Sequence, residues 1–95
     1  MAKINWTVQA KNDLIAIGEF IAQDSAKFSK IQIFRIRDRV KQLKDFPQLG
    51  RIVPEFDKET IRELILGNYR IIYKLLESGE IDILTIHHSA RVIRH

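Results

Sequence analysis

Several side chains in the C-terminal third of the chain could act together on a phosphate group. Glu63 and Arg70 lie seven residues apart in an apolar stretch, and the adjacent residues His87 and His88 follow a second one. An arginine binds phosphate oxygens through two parallel hydrogen bonds and stabilises the charge that develops during phosphoryl transfer. A histidine titrates near neutral pH and can move the proton of a ribose hydroxyl. Together with Arg91, these residues supply the groups that metal-free ribonuclease chemistry needs.

A structural role fits the same residues and ranks above catalysis on spacing alone. Glu63 and Arg70 on one face of the sheet could simply form an ion pair. Arg62, like Glu63 and His87, is a secondary candidate for the catalytic set. The two adjacent histidines would point to opposite faces of a strand, so they make a poor metal site. The chain contains no P-loop, nucleophile elbow or dinucleotide-binding fingerprint. No metal and no cofactor are predicted.

Residues 61–88 read as three β-strands joined by tight turns. Val, Ile, Leu and Tyr dominate the three runs, and Gly67-Asn68 and Ser78-Gly79 separate them. Three successive strands with such turns predict an antiparallel meander. Any functional surface on this meander is a row of alternate residues, because neighbouring side chains point to opposite faces.

Alternation divides the first hairpin into an apolar face and a polar face. The apolar face, predicted to meet the helices, consists of Arg62, Leu64, Leu66, Tyr69, Ile71, Tyr73 and Leu75. The polar face, predicted to be open with Arg70 at its centre, consists of Glu63, Ile65, Arg70, Ile72 and Lys74. A two-residue Ser78-Gly79 turn pairs Arg70 with His87, and a shift of one residue pairs it with His88. Both registers stay open at this point.

Two amphipathic helices precede the meander. A short strand over 3–7 leads to a helix over 8–23 that Thr7 can cap, and Asp24 or Ser25 can cap a second helix over about 26–46. The short connection makes the helices an antiparallel hairpin. Residues 46–56 read as a loop, and the first strand is expected at an edge of the meander. The order β-α-α-β-β-β predicts an α+β fold, in which the helical hairpin packs on one face of a small antiparallel sheet.

Length, charge and composition narrow the class of protein. Ninety-five residues make one domain over 1–95, and the net charge of +4 with a pI near 9.6 favours an acidic partner such as nucleic acid, the ribosome or an acidic protein. The absence of cysteine excludes disulfides and fits a reducing compartment. No signal peptide and no run of about 20 apolar residues is visible, so a cytoplasmic protein with no membrane partner is expected.

Four segments in order resemble a known family. They are W-T-x-x-A-x-x-D-L at 6–14, FPQLGRIVPE at 46–55, IRELILGNYRIIYK at 61–74 and ILTIHHSAR at 83–91. Their sequence and spacing resemble the RelE/ParE superfamily of bacterial toxins from type II toxin–antitoxin modules. The resemblance implies the sheet and helical hairpin described above. It also implies a cognate antitoxin whose acidic segment wraps the toxin, and a complex that binds operator DNA mainly through the antitoxin.

The RelE-like branch of this superfamily cuts mRNA in the ribosomal A site with basic residues of the sheet. Arg70 matches the arginine of that set, and Arg91 lies near the C-terminal basic cluster. The lysine pair that precedes the hairpin in RelE is replaced here by Arg62 and Glu63, and a terminal catalytic tyrosine is missing. The resemblance therefore allows a ribosome-dependent mRNA endonuclease with Arg70, His88 and Arg91 around the scissile phosphate.

The ParE-like branch poisons DNA gyrase by binding and lacks ribonuclease chemistry. The ending ILTIHHSAR is closer to this branch, with His88 at the histidine position and Arg91 at the arginine position. The sequence therefore favours a toxin that arrests growth by inhibiting gyrase, with the mRNA endonuclease as the alternative. A third reading is a non-toxic module that binds nucleic acid through the basic second helix.

Overall fold

A computed structural model describes residues 2–88 and confirms the α+β class. Its elements in chain order are β1 (Ile4–Trp6), α1 (Val8–Ala22), α2 (Ala26–Lys41), a 3-10 turn (Gln42–Lys44), β2 (Arg51–Ile52), β3 (Ile61–Leu66), β4 (Tyr69–Leu75) and β5 (Ile81–His88). The second helix is shorter than expected, because its last turn tightens into the 3-10 turn before Pro47. Within residues 2–88, no helix is both long and apolar enough to cross a membrane.

Side-chain caps fix where both helices begin. The Thr7 hydroxyl accepts the N–H of Ala10 at 3.1 Å, and the Ser25 hydroxyl accepts the N–H of Phe28 at 3.0 Å. Each bond satisfies a backbone donor that has no partner within the helix. Of the two residues expected to cap α2, the structure selects Ser25. The helices then pack closely, with the hydroxyl of Ser29 donating to the carbonyl of Gly18 at 2.6 Å.

The five strands form one mixed sheet in the order β1-β5-β4-β3-β2. The expected position of the first strand at an edge of the meander is confirmed, but β1 runs parallel to β5, whereas all the other pairs are antiparallel. The sheet is therefore not wholly antiparallel. Strand β2 lies in the stretch that was read as a loop. It is only two residues long and too short to give a periodic signal.

The apolar face of the sheet meets the helices, as predicted. Leu64, Ile71 and Tyr73 are buried there against residues such as Leu14 of α1 and Ile36 of α2. This layer holds most of the buried apolar residues, and burial of apolar surface stabilises a fold by about 25 cal/mol per Å². It also fixes which side chains of β3 and β4 point away from the helices.

The centre of the opposite face is covered, so the prediction that Arg70 lies on an open face is wrong, whereas Ile65 and Lys74 of the same face are exposed as predicted. Val53 lies against Ile72, and both are buried. Only 1% of the surface of Glu63 and 8% of that of Arg70 are exposed. The covering residues come from the segment before β3. Strand alternation assigns side chains to faces, but it does not show what packs on a face.

Thr7, which caps α1, and Asp13 of α1 protect the part of β5 that extends beyond β1. Within residues 2–88, β1 pairs with Ile81–Ile83 of β5 and with no other residue. Beyond that point, the hydroxyl of Thr7 lies 2.7 Å from the carbonyl oxygen of Ile83 and 3.0 Å from that of Leu84. Asp13 Oδ2 accepts hydrogen bonds from the Thr85 hydroxyl at 2.6 Å and from the Ile86 N–H at 3.0 Å. Backbone groups that a neighbouring strand would otherwise satisfy are thus paired with helix residues.

Candidate functional site

The pairing of β4 with β5 decides which histidine shares a face with Arg70. Arg70 lies opposite His87, and Tyr69 lies opposite His88. His88 therefore points to the helix side of the sheet, where its ring meets that of Tyr69 edge-on at a centroid distance of 5.7 Å. The structure does not bring Arg70 and His88 together on one face.

This register results from two irregularities, a longer connection and a bulge, whose one-residue shifts in the pairing of β4 with β5 cancel. Leu75 pairs with Ile81, so the connection between β4 and β5 is longer than a two-residue turn. The register then shifts between Ile72 and Tyr73, where β5 carries one extra residue, Leu84. A bulge of this kind changes the face of every residue beyond it. The pairing of Arg70 with His87 thus agrees with one of the two predicted registers, although its turn differs.

Arg70 lies at the centre of an ion network with two carboxylates. Its Nε donates to Oε1 of Glu63 at 2.6 Å, and its two Nη atoms donate to the carboxylate of Glu55 at 2.8 and 2.9 Å. Oε2 of Glu63 accepts from Nε of Arg51 at 2.6 Å. The network is thus a chain of alternating charges, Arg51–Glu63–Arg70–Glu55, and its formal charges cancel.

A turn places Glu55 over the sheet. Pro54 follows the buried Val53, and the N–H groups of Phe56 and Asp57 both donate to the carbonyl of Val53, at 3.1 and 2.9 Å. Proline suits this position because its fixed φ matches the start of a turn. Val53 fixes the turn to Ile72 below it, so the side chain of Glu55 is held beside Arg70.

The network shifts the pKa values of its central pair in opposite directions. Hydrogen bonding to Arg70 lowers the pKa of Glu55 from 4.5 to about 2. Hydrogen bonding to Glu55 raises the pKa of Arg70, and this effect outweighs the opposing effect of burial. The Glu55 carboxylate therefore stays charged at any physiological pH. An external anion can take both Nη atoms of Arg70 only by displacing it.

Arg62 and Tyr73 hold the segment that precedes β2. The Tyr73 hydroxyl donates to the carbonyl of Pro47 at 2.8 Å and accepts the N–H of Gly50 at 2.9 Å. Burial raises the pKa of this phenol, which keeps it protonated. Arg62 donates to the carbonyls of Gly50 and Glu59, each at 3.0 Å. Arg62 therefore holds the backbone at Gly50 and Glu59 in place through these two hydrogen bonds.

The structure groups the predicted site residues only in part. Arg70, Glu63 and His87 share one face, Arg62 and His88 belong to the other, and Arg91 lies outside the described residues. Within residues 2–88, no cluster of His, Asp and Glu has the geometry to hold a metal ion.

Sequence reasoning missed Glu55 and Arg51 as partners of the site. Both lie in the segment GRIVPE, where a cation and a carboxylate flank two apolar residues and a proline. That charged pair beside a turn residue was the available signal, but it did not indicate where the segment packs.

The comparison with protein families identifies the class of protein. A family model over nearly the whole chain and a relative at 30% identity place this chain in the RelE/ParE superfamily of toxins. A family model described as the ParE toxin of the type II toxin–antitoxin system parDE matches residues 4–93. Because the match spans nearly the whole chain, the protein belongs to the ParE toxin family. It is the toxin of a type II toxin–antitoxin module, and its partner is a cognate antitoxin.

One relative agrees with the assignment to a toxin of this superfamily, and one solved structure shares the fold. Toxin RelE2 of Caulobacter vibrioides is 30% identical over 92 residues, which is 97% of this chain and 100% of the relative. A solved structure described as the chromosomal ParDE system from P. aeruginosa superposes with a TM-score of 0.75 at 24% identity, covering 93% of this chain and 96% of the other. At that identity the structural match shows the shared fold alone.

Proposed function

We propose that this toxin arrests growth by binding DNA gyrase. The observation that carries the proposal is the state of Arg70, the arginine that matches the catalytic set of the RelE-like ribonucleases. Its surface is 8% exposed, and Nε and both Nη atoms donate to carboxylates. A ribonuclease needs a cation that can reach the scissile phosphate and stabilise its developing charge. A cation already neutralised by two carboxylates is poorly suited to that task.

The position of His88 supports the same proposal. A general base must come within about 3 Å of the proton it removes while the cation contacts the phosphate. His88 and Arg70 project from opposite faces of the sheet. The family model that matches residues 4–93 is that of the ParE toxin, which adds independent support. The proposal implies a cytoplasmic site of action, and operator DNA would be contacted through the antitoxin complex.

Two assays on the purified protein test this proposal. We expect the protein to block supercoiling of relaxed plasmid by gyrase and to leave translation of a reporter mRNA in a cell-free extract unchanged. Protein mixed with equimolar antitoxin is the matched control and should be inactive against gyrase. Loss of translation with cleaved reporter mRNA, while supercoiling proceeds normally, would reject the proposal.

The second candidate is a ribosome-dependent mRNA endonuclease. It is favoured by the relative named Toxin RelE2 and by His87, which lies opposite Arg70 on the same face. In this reading Arg70 is the cation at the scissile phosphate and His87 takes the place of His88 beside it, because His88 projects from the opposite face of the sheet. Arg91, outside the described residues, stays in the proposed set, with Glu63 and Arg62 as secondary groups. Glu55 would have to leave Arg70 first. If the reading holds, Glu55→Gln raises cleavage of the reporter mRNA above that of the parent protein, and an unchanged absence of cleavage rejects it.

A further inference from the structure

A pocket lies on the helix side of the sheet, where the end of β5 meets α1. Its volume is about 540 Å³, and its lining residues are Asp13, Ala16, Ile17, Phe20, Tyr69, Ile86 and His88. Ile86 is buried and Ile17 is partly buried, so the apolar part of the wall is fixed by the core of the fold. No residue of the Arg70 network lines the pocket, which is therefore separate from the site described above.

Three rings line this pocket. Those of Tyr69 and His88 meet edge-on, at an angle of 84° and a centroid distance of 5.7 Å, so their faces point in perpendicular directions. The third ring is that of Phe20, which is 68% exposed. The face of an aromatic ring carries partial negative charge and attracts a cation, and several rings in different orientations form the kind of site that binds ammonium groups.

The charge of the Asp13 carboxylate is not balanced by a cation. Its Oδ1 accepts from the Gln9 side-chain amide at 2.7 Å, and its Oδ2 accepts from the Thr85 hydroxyl and the Ile86 N–H. All three donors are neutral. In the part of the chain that the structure describes, Asp13 forms no ion pair, and no Lys or Arg lines the pocket although the chain contains 16 of them. The pocket is therefore a locally negative site on a basic protein.

The carboxylate and the rings together select one class of ligand. An anion such as a nucleotide phosphate would meet Asp13 and would find no Lys or Arg among the described lining residues. An uncharged apolar molecule would contact Ile17 and Ile86 but would leave the carboxylate without a counter-ion. A cation on an apolar body satisfies the rings, the carboxylate and the apolar wall at once.

We propose that this pocket binds a small organic cation, which carries an ammonium or guanidinium group on a short apolar body. The cationic group lies against the ring faces and the Asp13 carboxylate, and the apolar body contacts Ile17 and Ile86. The proposal does not depend on whether the toxin acts on gyrase or on mRNA, because the pocket and the Arg70 network share no residue.

Two probes of nearly equal size and different charge test the proposal. Benzylamine carries an ammonium group on an apolar body, and benzyl alcohol is its uncharged counterpart. Each is titrated into the isotope-labelled full-length protein, and binding is followed by NMR from the shifts of the Ile86 amide and of the probe itself. The titration is run at about pH 8, because a protonated imidazole would repel a cation.

Two variants remove the proposed ligand contacts one at a time. Asp13→Asn removes the charge and keeps an oxygen that can accept from β5, and Glu19→Gln is its control at an exposed position of the same helix outside the pocket. Phe20→Leu removes a ring and keeps an apolar side chain. Its control is Phe34→Leu, since Phe34 is also 68% exposed and lies outside the pocket. Because Phe20 is exposed, this second pair decides the test even if Asp13→Asn destabilises the fold.

We expect the parent protein to bind benzylamine about fivefold more tightly than benzyl alcohol, the range of a cation held by aromatic faces. Asp13→Asn and Phe20→Leu should each weaken the binding of benzylamine by a similar factor, and the two controls should bind like the parent. Equal affinity for the amine and the alcohol would overturn the proposal. Equal affinity of Phe20→Leu and Phe34→Leu for the amine would also overturn it.

A third variant distinguishes a free ligand from a cation of the chain itself. Arg91 and Arg94 follow His88 in the sequence and lie outside the described residues. Their guanidinium groups have the chemistry that the pocket selects, so both are replaced in Arg91→Gln with Arg94→Gln. We expect this variant to bind benzylamine like the parent protein. Binding by the variant together with no binding by the parent would assign the pocket to the chain's own arginines and would overturn the free ligand.

Discussion

Glu63 and Arg70 lie on neighbouring strands and form a buried ion pair, with Nε of Arg70 2.6 Å from Oε1 of Glu63. The side chain of Glu63 is 0% exposed and that of Arg70 is 10% exposed. Two charges in such a position are tolerated only when further partners satisfy them. Glu55 and Arg51 provide those partners. The central arginine is therefore part of the folded structure, whatever its role toward a target.

The first prediction concerns Arg70. Arg70→Ala leaves the buried carboxylate of Glu63 with Arg51 as its remaining partner, and breaking a buried pair costs about 3–5 kcal/mol. We expect a loss of this size in the free energy of unfolding, measured by urea denaturation. This corrects the expectation that the residue is an exposed strand residue with little burial.

Arg51→Ala is the matched control for that measurement. The side chain of Arg51 is 63% exposed whereas that of Glu63 is 0% exposed, so water can replace the Arg51 guanidinium and Arg51→Ala should lower the free energy of unfolding by less than Arg70→Ala. Equal losses in the free energy of unfolding for Arg70→Ala and Arg51→Ala would show that burial of the arginine does not determine its contribution to stability.

The second prediction concerns acid. Because the pKa of Glu55 falls from 4.5 in the unfolded chain to about 2 in the fold, its contribution to stability is complete above pH 4.5 and is lost as pH falls toward 2. We expect the free energy of unfolding of the parent protein to fall more steeply in this window than that of Glu55→Gln. Parallel curves for the two proteins would contradict the low pKa.

The third prediction concerns Gly50. A Cβ atom added here would lie 2.5 Å from the backbone carbonyl oxygen of Glu63 and 2.8 Å from the Tyr73 ring. Gly50→Ala must therefore move the segment that leads into β2. We expect a loss of about 1–3 kcal/mol by urea denaturation, in the range for overpacking.

Gly67→Ala is a useful comparison for Gly50. A Cβ there meets nothing within 4 Å, but the residue has a φ of +56°. Gly67→Ala should lower the free energy of unfolding by about 1 kcal/mol through backbone strain, without moving β2. Amide exchange in β2 should rise in Gly50→Ala and stay unchanged in Gly67→Ala, and the reverse pattern would contradict the close packing at Gly50.

The fourth prediction concerns Asp13. Asp13→Ala removes the acceptor for the Thr85 hydroxyl and for the backbone N–H of the buried Ile86. A buried donor left without a partner costs about 1–3 kcal/mol. Glu19→Ala, at an exposed position of the same helix, is the control and should change the free energy of unfolding by less than about 0.5 kcal/mol. A similar small change for Asp13→Ala would show that the contact to β5 contributes little.

Much of the fold follows from local patterns in the sequence. The three-four spacing around Leu14 and Ile36 marked the helical faces, and Thr7 marked the start of α1. Alternation correctly directed Leu64, Ile71 and Tyr73 toward the helices. Each of these signals depends on residues close together in the chain, which is why they could be read without a structure.

The site was less predictable because it depends on contacts between distant segments. Nothing local to Arg70 shows that Val53 packs on Ile72 and brings Glu55 beside it. The choice between His87 and His88 depends on the extra residue Leu84, and a bulge has no clear mark in an apolar strand. The sequence was enough to assign these residues to strands. Their contacts depend on the segment before β3 that covers the sheet and on the bulge at Leu84.

The protection of β5 by Thr7 and Asp13 has a consequence for how other chains can associate with this protein. An exposed strand edge invites a foreign strand to add to the sheet, which leads either to partner binding by β-augmentation or to aggregation. Here the outermost strands, β1 and β2, have three and two residues, and the next stretch of β5 is already bonded to α1. A sheet with such short edges offers little backbone for a foreign strand to extend. For the described part of the sheet, we therefore expect partners to be recognised mainly through side chains and copies to show little tendency to join strand to strand.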